Sequence, residues 1–450
     1  MTKQILSTQL QMTDEIKQAL YYINHGDNVF IHGRPGTGKS TFLRGLRNFL
    51  SVKSKNAMFV APTGIAALNI HGQTIHSFFH LNPSEIHAPL DYANRNTLRA
   101  AWQNLDILVV DEISMVRADI FDKMNERLQE ILEDDRPFAH KQVIVVGDLN
   151  QLAPILNEKS NLLQDKLCKE EYNTAYVFEA KCWKDMAFKH VFFTKIFRQT
   201  DQEFTAHLAA LERPYGENFT NALAYFNKRV TDTRPKDAVC LCARKMDAEK
   251  INKSELDKLP QPIYKIPAFQ SSRYDNDWKE ANCPAPKVLY LKIGAKVMFV
   301  RNDENKRFVN GTIGYVKSIN LLKEHTIKSI TVQINKDVEA EIHGCIWYKM
   351  ILNKKTGRQE KDLGNFFCQF PIQLAWATTI HKAQGMTFDS AYVDLGEKGA
   401  FSTGQTYVAL SRVRSLDGLW LKNPLQATDI LSNPAVEKFY KDIKGEKLWN

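Results

Sequence analysis

"GRPGTGKST" runs from Gly33 to Thr41. The stretch before it, "NVFIHG" (Asn28 to Gly33), is a short apolar run. The stretch after it, "STFLRGLRNFL" (Ser40 to Leu50), repeats apolar residues at helical spacing. A glycine-rich loop between a strand and a helix is the setting in which Gly-x4-Gly-Lys-Ser cradles phosphates. The loop lets backbone N–H groups turn onto phosphate oxygens, and the helix N-terminus adds partial positive charge. Gly33, Pro35, Gly36, Thr37, Gly38, Lys39, Ser40 and Thr41 are therefore the expected nucleotide-binding set. Lys39 should reach the β- and γ-phosphates and the Ser40 hydroxyl should bind Mg²⁺, so the cofactors expected are ATP and Mg²⁺.

Such a site needs a carboxylate at the end of a neighbouring strand. "LDILVVDEISM" (Leu105 to Met115) supplies two. Four apolar residues end at Asp111, the candidate metal ligand, and Glu112, the candidate general base. "QVIVVGDLNQLAPI" (Gln142 to Ile155) repeats the pattern, with Gln151 three residues after Asp148. A glutamine there can sense a γ-phosphate without adding charge. "FRQ" (Phe197 to Gln199) and "YVALSRVRS" (Tyr407 to Ser415) each offer an arginine. Arg198 and Arg412 are expected to approach the γ-phosphate from a second domain, as arginine fingers do. Arg414 is less suited, because it lies two residues beyond Arg412 on an expected helix.

The bulk numbers bound the rest. At roughly 100–200 residues per domain, 450 residues allow two to four domains. The chain is 44% hydrophobic and 25% charged, an ordinary globular composition. It has no apolar run of membrane-spanning length, and its first residues lack the pattern of a secretory or transit segment. Seven scattered cysteines fit reduced thiols, and Cys240-Leu-Cys242 is too tight for the usual zinc pair. The net charge is +9, and Lys279 to Lys361 carries 16 Lys/Arg against 8 Asp/Glu, nearly the whole excess. That stretch reads as a face for phosphates or as a solvated basic surface.

Read in order with "FVAPTGIAALNIHGQTIHSFFHL" (Phe59 to Leu81), "LKIGAKVMFVRNDENKRFVNGTIGYV" (Leu291 to Val316) and "TTIHKAQGMTFD" (Thr378 to Asp389), these motifs resemble those of superfamily 1 helicases. The resemblance is closest to the 5′→3′ branch and, within it, to the Pif family. It covers roughly Gly26 to Leu421. It implies an α/β fold of two tandem RecA-like P-loop motor domains with a β-rich Src-homology-type barrel inserted in the second. The expected boundaries are 1–184 for the first domain, with a small wedge insert near 75–101. The second domain is expected at 185–245 and 365–450, and the basic insert at 246–364. Phe78, Phe79 and His80 are candidates for the wedge tip.

A motor stepping along one strand must hold backbone without reading sequence, through hydroxyls, amides, a few cations and stacking aromatics. Pro62, Thr63, Thr74, His76 and Phe78 lie in one matched motif; His381, Lys382 and Gln384 lie in another, with Gly385 assigned to the nucleotide. Each residue also has a plain structural reading, such as a helix cap or a core ring. Lys287, Lys292 and Lys296 are expected to be DNA-facing cations of the insert. Two departures stand out. Ile16 occupies the position where the family places an adenine-reading glutamine, which leaves the adenine contact unassigned, with Gln9, Gln11 and Gln18 as the candidates. Ala139-His140 stands where relatives often have Gly-Gly, which bears on local loop geometry.

The resemblance implies a monomeric 5′→3′ DNA helicase acting on single-stranded and forked DNA and on G-quadruplexes, in replication, repair, recombination or telomere-type maintenance. The short N-terminus fits a bacterial or phage source better than an organellar one, and with no apolar span the expected location is the cytoplasm or nucleoid, away from membranes. The residues alone leave other readings open: a translocase that remodels DNA-bound proteins, a motor subunit of a nuclease complex, a nucleic-acid-binding protein with a degenerate ATPase, or a P-loop kinase. Stimulation of ATP hydrolysis by DNA separates the motors from the kinase.

Overall fold

The computed structural model describes residues 11–82, 92–155, 168, 170–199, 201–271, 285–303, 305, 307–323, 326–353 and 359–444. The chain divides into two compact units. Unit 1 comprises 1–198, 349–362 and 433–450, and unit 2 comprises 199–348 and 363–432.

Unit 1 is built on a six-stranded parallel sheet. Its strands are β1 (Val29–Gly33), β2 (Ala57–Ala61), β3 (Gln73–Thr74), β4 (Ile107–Val110), β5 (Gln142–Gly147) and β6 (Lys189–Phe193), in the order β3-β2-β4-β5-β1-β6. The central strands are continuous apolar runs because both faces are covered. Strand side chains alternate between faces. Phe30, Val60, Leu108, Val110, Val143 and Val145 therefore enter one core, and Val29, Ile31, Phe59, Ile107, Val109, Ile144 and Val146 the other. Helices Asp14–His25 and Lys39–Val52 cover the second face with Ile16, Leu20, Ile23, Phe42, Leu46 and Phe49. Helix Ala118–Leu132 covers the first, joined by Val436 and Tyr440 from helix Pro434–Lys444. Each such buried side chain contributes about 1.5–3 kcal/mol of transfer free energy.

Two expected boundaries are corrected here. Residues 185–198 belong to unit 1, because β6 pairs in parallel with β1 from Val29–Lys189 to Gly33–Phe193. Residues 433–450 also belong to unit 1, since their helix closes its first core.

Unit 2 contains a four-stranded parallel sheet in the order Ala377–Thr379, β7 (Val239–Cys242), Ala391–Asp394, Leu419–Leu421. The insert is antiparallel. Its five-stranded sheet runs Glu339–Ile342, Thr326–Gln333, Ile313–Lys323, Lys296–Phe299, Ile372–Leu374. The insert therefore extends past residue 364, because Val297 pairs with Leu374. Part of the expected wedge, residues 83–91, lies outside the described residues, as does 272–284 of the insert.

Candidate active site

Ligands of open parallel sheets bind outside the carboxyl ends of the strands, and the functional side chains of unit 1 gather there. After β1 the chain turns through Gly36 and Gly38, with φ of +85° and +86°, a backbone region that favours glycine. Gly38 is the N-cap of helix Lys39–Val52, so the loop N–H groups and the helix N-terminus face the same space. Pro35 and Thr37 are buried, and Ser40 is exposed at the helix start. The Thr37 hydroxyl donates to the Arg34 carbonyl at 2.9 Å. The Lys39 ammonium donates to the carbonyls of Gly33 and, at 3.1 Å, Arg34. Burial pushes the Lys39 pKa down, while Asp148, Glu112 and Asp111 pull it back up and Arg198 opposes them. These five charges therefore share one site.

The acids follow β4 and β5. Asp111 is buried, and its Oδ1 accepts the Glu112 N–H at 2.9 Å. Burial first, then the neighbouring Glu112 charge, push the Asp111 carboxyl up to about 8. A divalent cation beside it would bring that value down. Hard oxygen donors, the Asp111 carboxylate and the Ser40 hydroxyl, suit Mg²⁺. Among the described residues, no cluster of three or more His, Cys, Asp or Glu forms a metal cage, so the set fits an ion shared with phosphates.

Glu112 has φ +50° and ψ +46°, a left-handed conformation uncommon for a non-glycine residue. It turns the chain sharply after the strand. Gly147 makes this possible: a Cβ there would lie 2.8 Å from Ile113 Cγ2 and 3.1 Å from Ile113 N. Gln151 is 4% exposed and donates to Asp148 Oδ2 at 3.1 Å. Asp148, directly after β5, carries no assigned role in the sequence and joins the site here.

Arg198 reaches the site from unit 1, contrary to the expectation of a second domain. β6 lies beside β1, and the chain leaving it crosses the phosphate loop. The Phe197 N–H donates to the Gly36 carbonyl at 2.8 Å, and the Phe197 ring packs on Gly38. Gln199, given no role by the sequence, donates from Nε2 to the Ser411 and Val413 carbonyls, each at 3.3 Å.

In unit 2, Arg412 is 1% exposed, not presented at a surface. Its guanidinium donates to the carbonyls of Val408 (2.8 Å), Met386 (3.3 Å) and Ala383 (3.4 Å) and to the Ser411 hydroxyl (2.7 Å). Arg414 is exposed and lies beyond helix Gln405–Leu410, so the helical argument against it fails. Gly385 is exposed, with φ +79°.

The nucleic-acid candidates also occupy carboxyl ends. In unit 1, Pro62 and Thr63 follow β2, and Thr74 ends β3. Thr63 and Thr74 cap short helices, accepting from the N–H groups of Ala66 and Ser77. His76 is half-buried, and burial followed by Arg117 lowers its pKa. Phe78 is corrected: it is 4% exposed and packs with Phe79 and Trp102 in the core, so neither ring is a stacking group or a wedge tip. In unit 2, His381, Lys382 and Gln384 follow strand Ala377–Thr379; Lys382 is exposed and Gln384 is buried. Lys296 is also corrected. It is 1% exposed and donates to the carbonyls of Lys236, Asp237 and Ala238, so it is internal scaffolding. The Lys292 ammonium donates to the Leu259 carbonyl at 2.7 Å. Of the adenine candidates, Ile16 is buried in the core, Gln18 points to the Tyr22 hydroxyl, and the Gln11 Oε1 accepts from Lys195; Gln9 lies outside the described residues.

A phosphate loop, an acid pair and a charged cluster on a RecA-like parallel sheet define a P-loop nucleoside triphosphatase. Comparison with known proteins narrows this. A family model described as PIF1-like helicase matches residues 4–225, and one described as DNA helicase Pif1, 2B domain, matches 279–319. The chain is 31% identical to the ATP-dependent DNA helicase Pif1 of Bdellovibrio bacteriovorus, over 97% of this chain and 93% of that one. It is 32% identical to human ATP-dependent DNA helicase PIF1, over 97% of this chain. It spans 65% of the human protein's length. The structure of Bacteroides Pif1 in complex with ADP-AlF4 superposes with a TM-score of 0.83 at 30% identity, covering 97% of this chain and 98% of that one. The same helicase with ADP-AlF3 and ssDNA gives 0.67 at the same identity and coverage. The chain belongs to the PIF1-like helicase family.

Proposed function

We propose that this chain is an ATP-dependent DNA helicase that moves 5′→3′ along single-stranded DNA and separates duplex and forked DNA. The observation that carries this reading is the charged cluster of Lys39, Asp111, Glu112, Asp148 and Arg198 around one phosphate loop, in a chain of this family. G-quadruplex DNA is a further proposed substrate, genome maintenance the proposed setting and a monomer the proposed working form.

The loop N–H groups and Lys39 bind the β- and γ-phosphates, Lys39 exchanging its bonds to Gly33 and Arg34 for phosphate oxygens. Ser40 and Asp111 would hold Mg²⁺, which would supply charge neutralisation for the phosphates. Glu112 accepts a proton from the attacking water, with its carboxylate close enough to Lys39 to act on that ammonium. Gln151 and Arg198 contact the γ-phosphate, and a nucleotide role is proposed for Gly385 and Arg412 of unit 2 as well. Pro62, Thr63, Thr74, His76, His381, Lys382 and Gln384 are proposed to line the strand.

The test is strand separation with ATP and Mg²⁺ on duplexes carrying a 5′ or a 3′ single-stranded tail, with Glu112→Gln as control. Unwinding from the 5′ tail alone, lost in the control, is expected. DNA-stimulated hydrolysis without unwinding from either tail would replace this reading by a translocase or a motor subunit.

A further inference from the structure

At the carboxyl edge of the unit 2 sheet, three segments converge on one exposed ring. Phe401 leaves 54% of its surface open to solvent, a costly placement for a phenylalanine. Its position is fixed from several sides. The His381 ring lies 6.1 Å away and nearly parallel, at 19°. The Arg244 guanidinium lies over the Phe401 ring, 5.2 Å from its centroid. Arg244 is itself held, donating to the carbonyls of Leu395 at 3.2 Å and Gly399 at 3.4 Å. The Phe401 N–H donates to Gln405 Oε1 at 3.0 Å. Gln405 is fully buried, and its Nε2 donates to the Ala243 carbonyl at 3.1 Å. One internal amide thus ties the backbone at Phe401 to the residue before Arg244.

Arg244 follows β7, His381 follows strand Ala377–Thr379, and Phe401 lies in the turn after strand Ala391–Asp394. The ends of three parallel strands meet at this ring, the place where such sheets bind ligands. An exposed ring with a guanidinium over it is complementary to a nucleotide: the solvent-open part of the ring takes the base and the cation takes the phosphate. The neighbouring Lys382 is exposed and adds to the positive field.

We propose that Phe401, supported by His381 and Arg244, is a base-stacking seat for one nucleotide of a single DNA strand. The seat rests on the single-strand reading given above and adds a contact with bases to contacts with backbone. Stacking tolerates every base, so it grips without reading sequence.

The test compares binding of a short oligothymidylate with binding of an abasic strand of the same length, using the full chain. Phe401→Ala is expected to weaken oligothymidylate binding about 5- to 100-fold and to leave abasic binding unchanged. Phe401→Trp is expected to restore binding, with indole emission quenched by oligothymidylate and not by the abasic strand. Arg244→Gln is expected to weaken both strands alike and to lower the salt slope by about one. Equal losses on both strands in Phe401→Ala, or full rescue by Phe401→Leu, would reduce Phe401 to a packing element and overturn the seat. Wild-type protein that binds neither strand would remove the single-strand reading itself, and the seat with it.

Discussion

The two parallel sheets place different chemistry at equivalent edges. In unit 1 the edge buries Asp111, Asp148 and Gln151, and the surrounding charges act on Lys39 and Asp111. In unit 2 the edge carries an open ring at Phe401, an exposed Lys382 and the half-buried His381. Enclosure suits a reaction that builds charge, because electrostatic interactions strengthen where water is excluded. An open edge suits a polymer that must slide and be released. On the proposed reading, the same architecture is divided between chemistry and grip by how much water each edge admits.

The sharpest way to break that contrast uses the two arginines. Arg198→Ala is expected to lower ATP hydrolysis about 1,000-fold, as loss of an arginine finger does, with little change in stability. Arg412→Ala is expected to cost about 3 kcal/mol of stability in urea unfolding, because carbonyls in a buried site lose a charged donor. Equal behaviour of the two variants would erase the distinction. Next comes Gly147→Val, which forces Ile113 away and moves the Glu112 carboxylate. Hydrolysis is expected to fall about 100-fold while nucleotide binding survives, as measured by fluorescent-nucleotide titration.

A third comparison lies within the insert. Lys296→Met is expected to cost about 1–3 kcal/mol of stability and leave the salt dependence of DNA binding untouched. Lys287→Gln is expected to lower the salt slope by about one without changing stability. The fourth concerns acid. Burial pushes the His190 pKa down to about 4, from an ordinary value near 6.5. Between those values the unfolded chain binds the proton and the folded chain does not, so stability falls as pH drops through that window. His190→Gln is expected to flatten the slope of unfolding free energy between about pH 6.5 and 4. The smallest effect belongs to the Ala139-His140 departure. Phe138, Ala139 and His140 all have positive φ, at 50°, 48° and 59°. His140→Gly is expected to gain about 0.5–1 kcal/mol by releasing that strain.

The phosphate loop and the acid pair were legible because a small, fixed substrate dictates their spacing. Arg198 was legible as a residue but not as a member of unit 1. Strand Lys189–Phe193 buries only Val191 and Phe193 and carries a weak apolar signal at the edge of the sheet. Helix Pro434–Lys444 gives no local sign of which core it closes; contacts of Val436 and Tyr440 with distant residues decide that. Phe78 sits in a DNA-type motif, yet its neighbour Trp102 draws it inward. Lys296 looks like any cation of a basic stretch until three carbonyls some 60 positions earlier surround it. Phe401 escaped notice because a lone phenylalanine in a loop carries no periodicity.

The tripeptide Phe197-Arg198-Gln199 has a mechanical consequence. Its first residue is fastened to the phosphate loop, and its third is fastened to the carbonyls on either side of Arg412. Only Arg198 lies between the two fastenings, and the units change over at the next peptide bond. On the proposed mechanism, a guanidinium drawn toward a phosphate would pull on the peptide that enters unit 2. One glycine inserted after Arg198 would leave both fastenings intact and pay out about 3.8 Å of extra chain. Such a protein is expected to keep ATP hydrolysis and to lose the proposed unwinding of a tailed duplex.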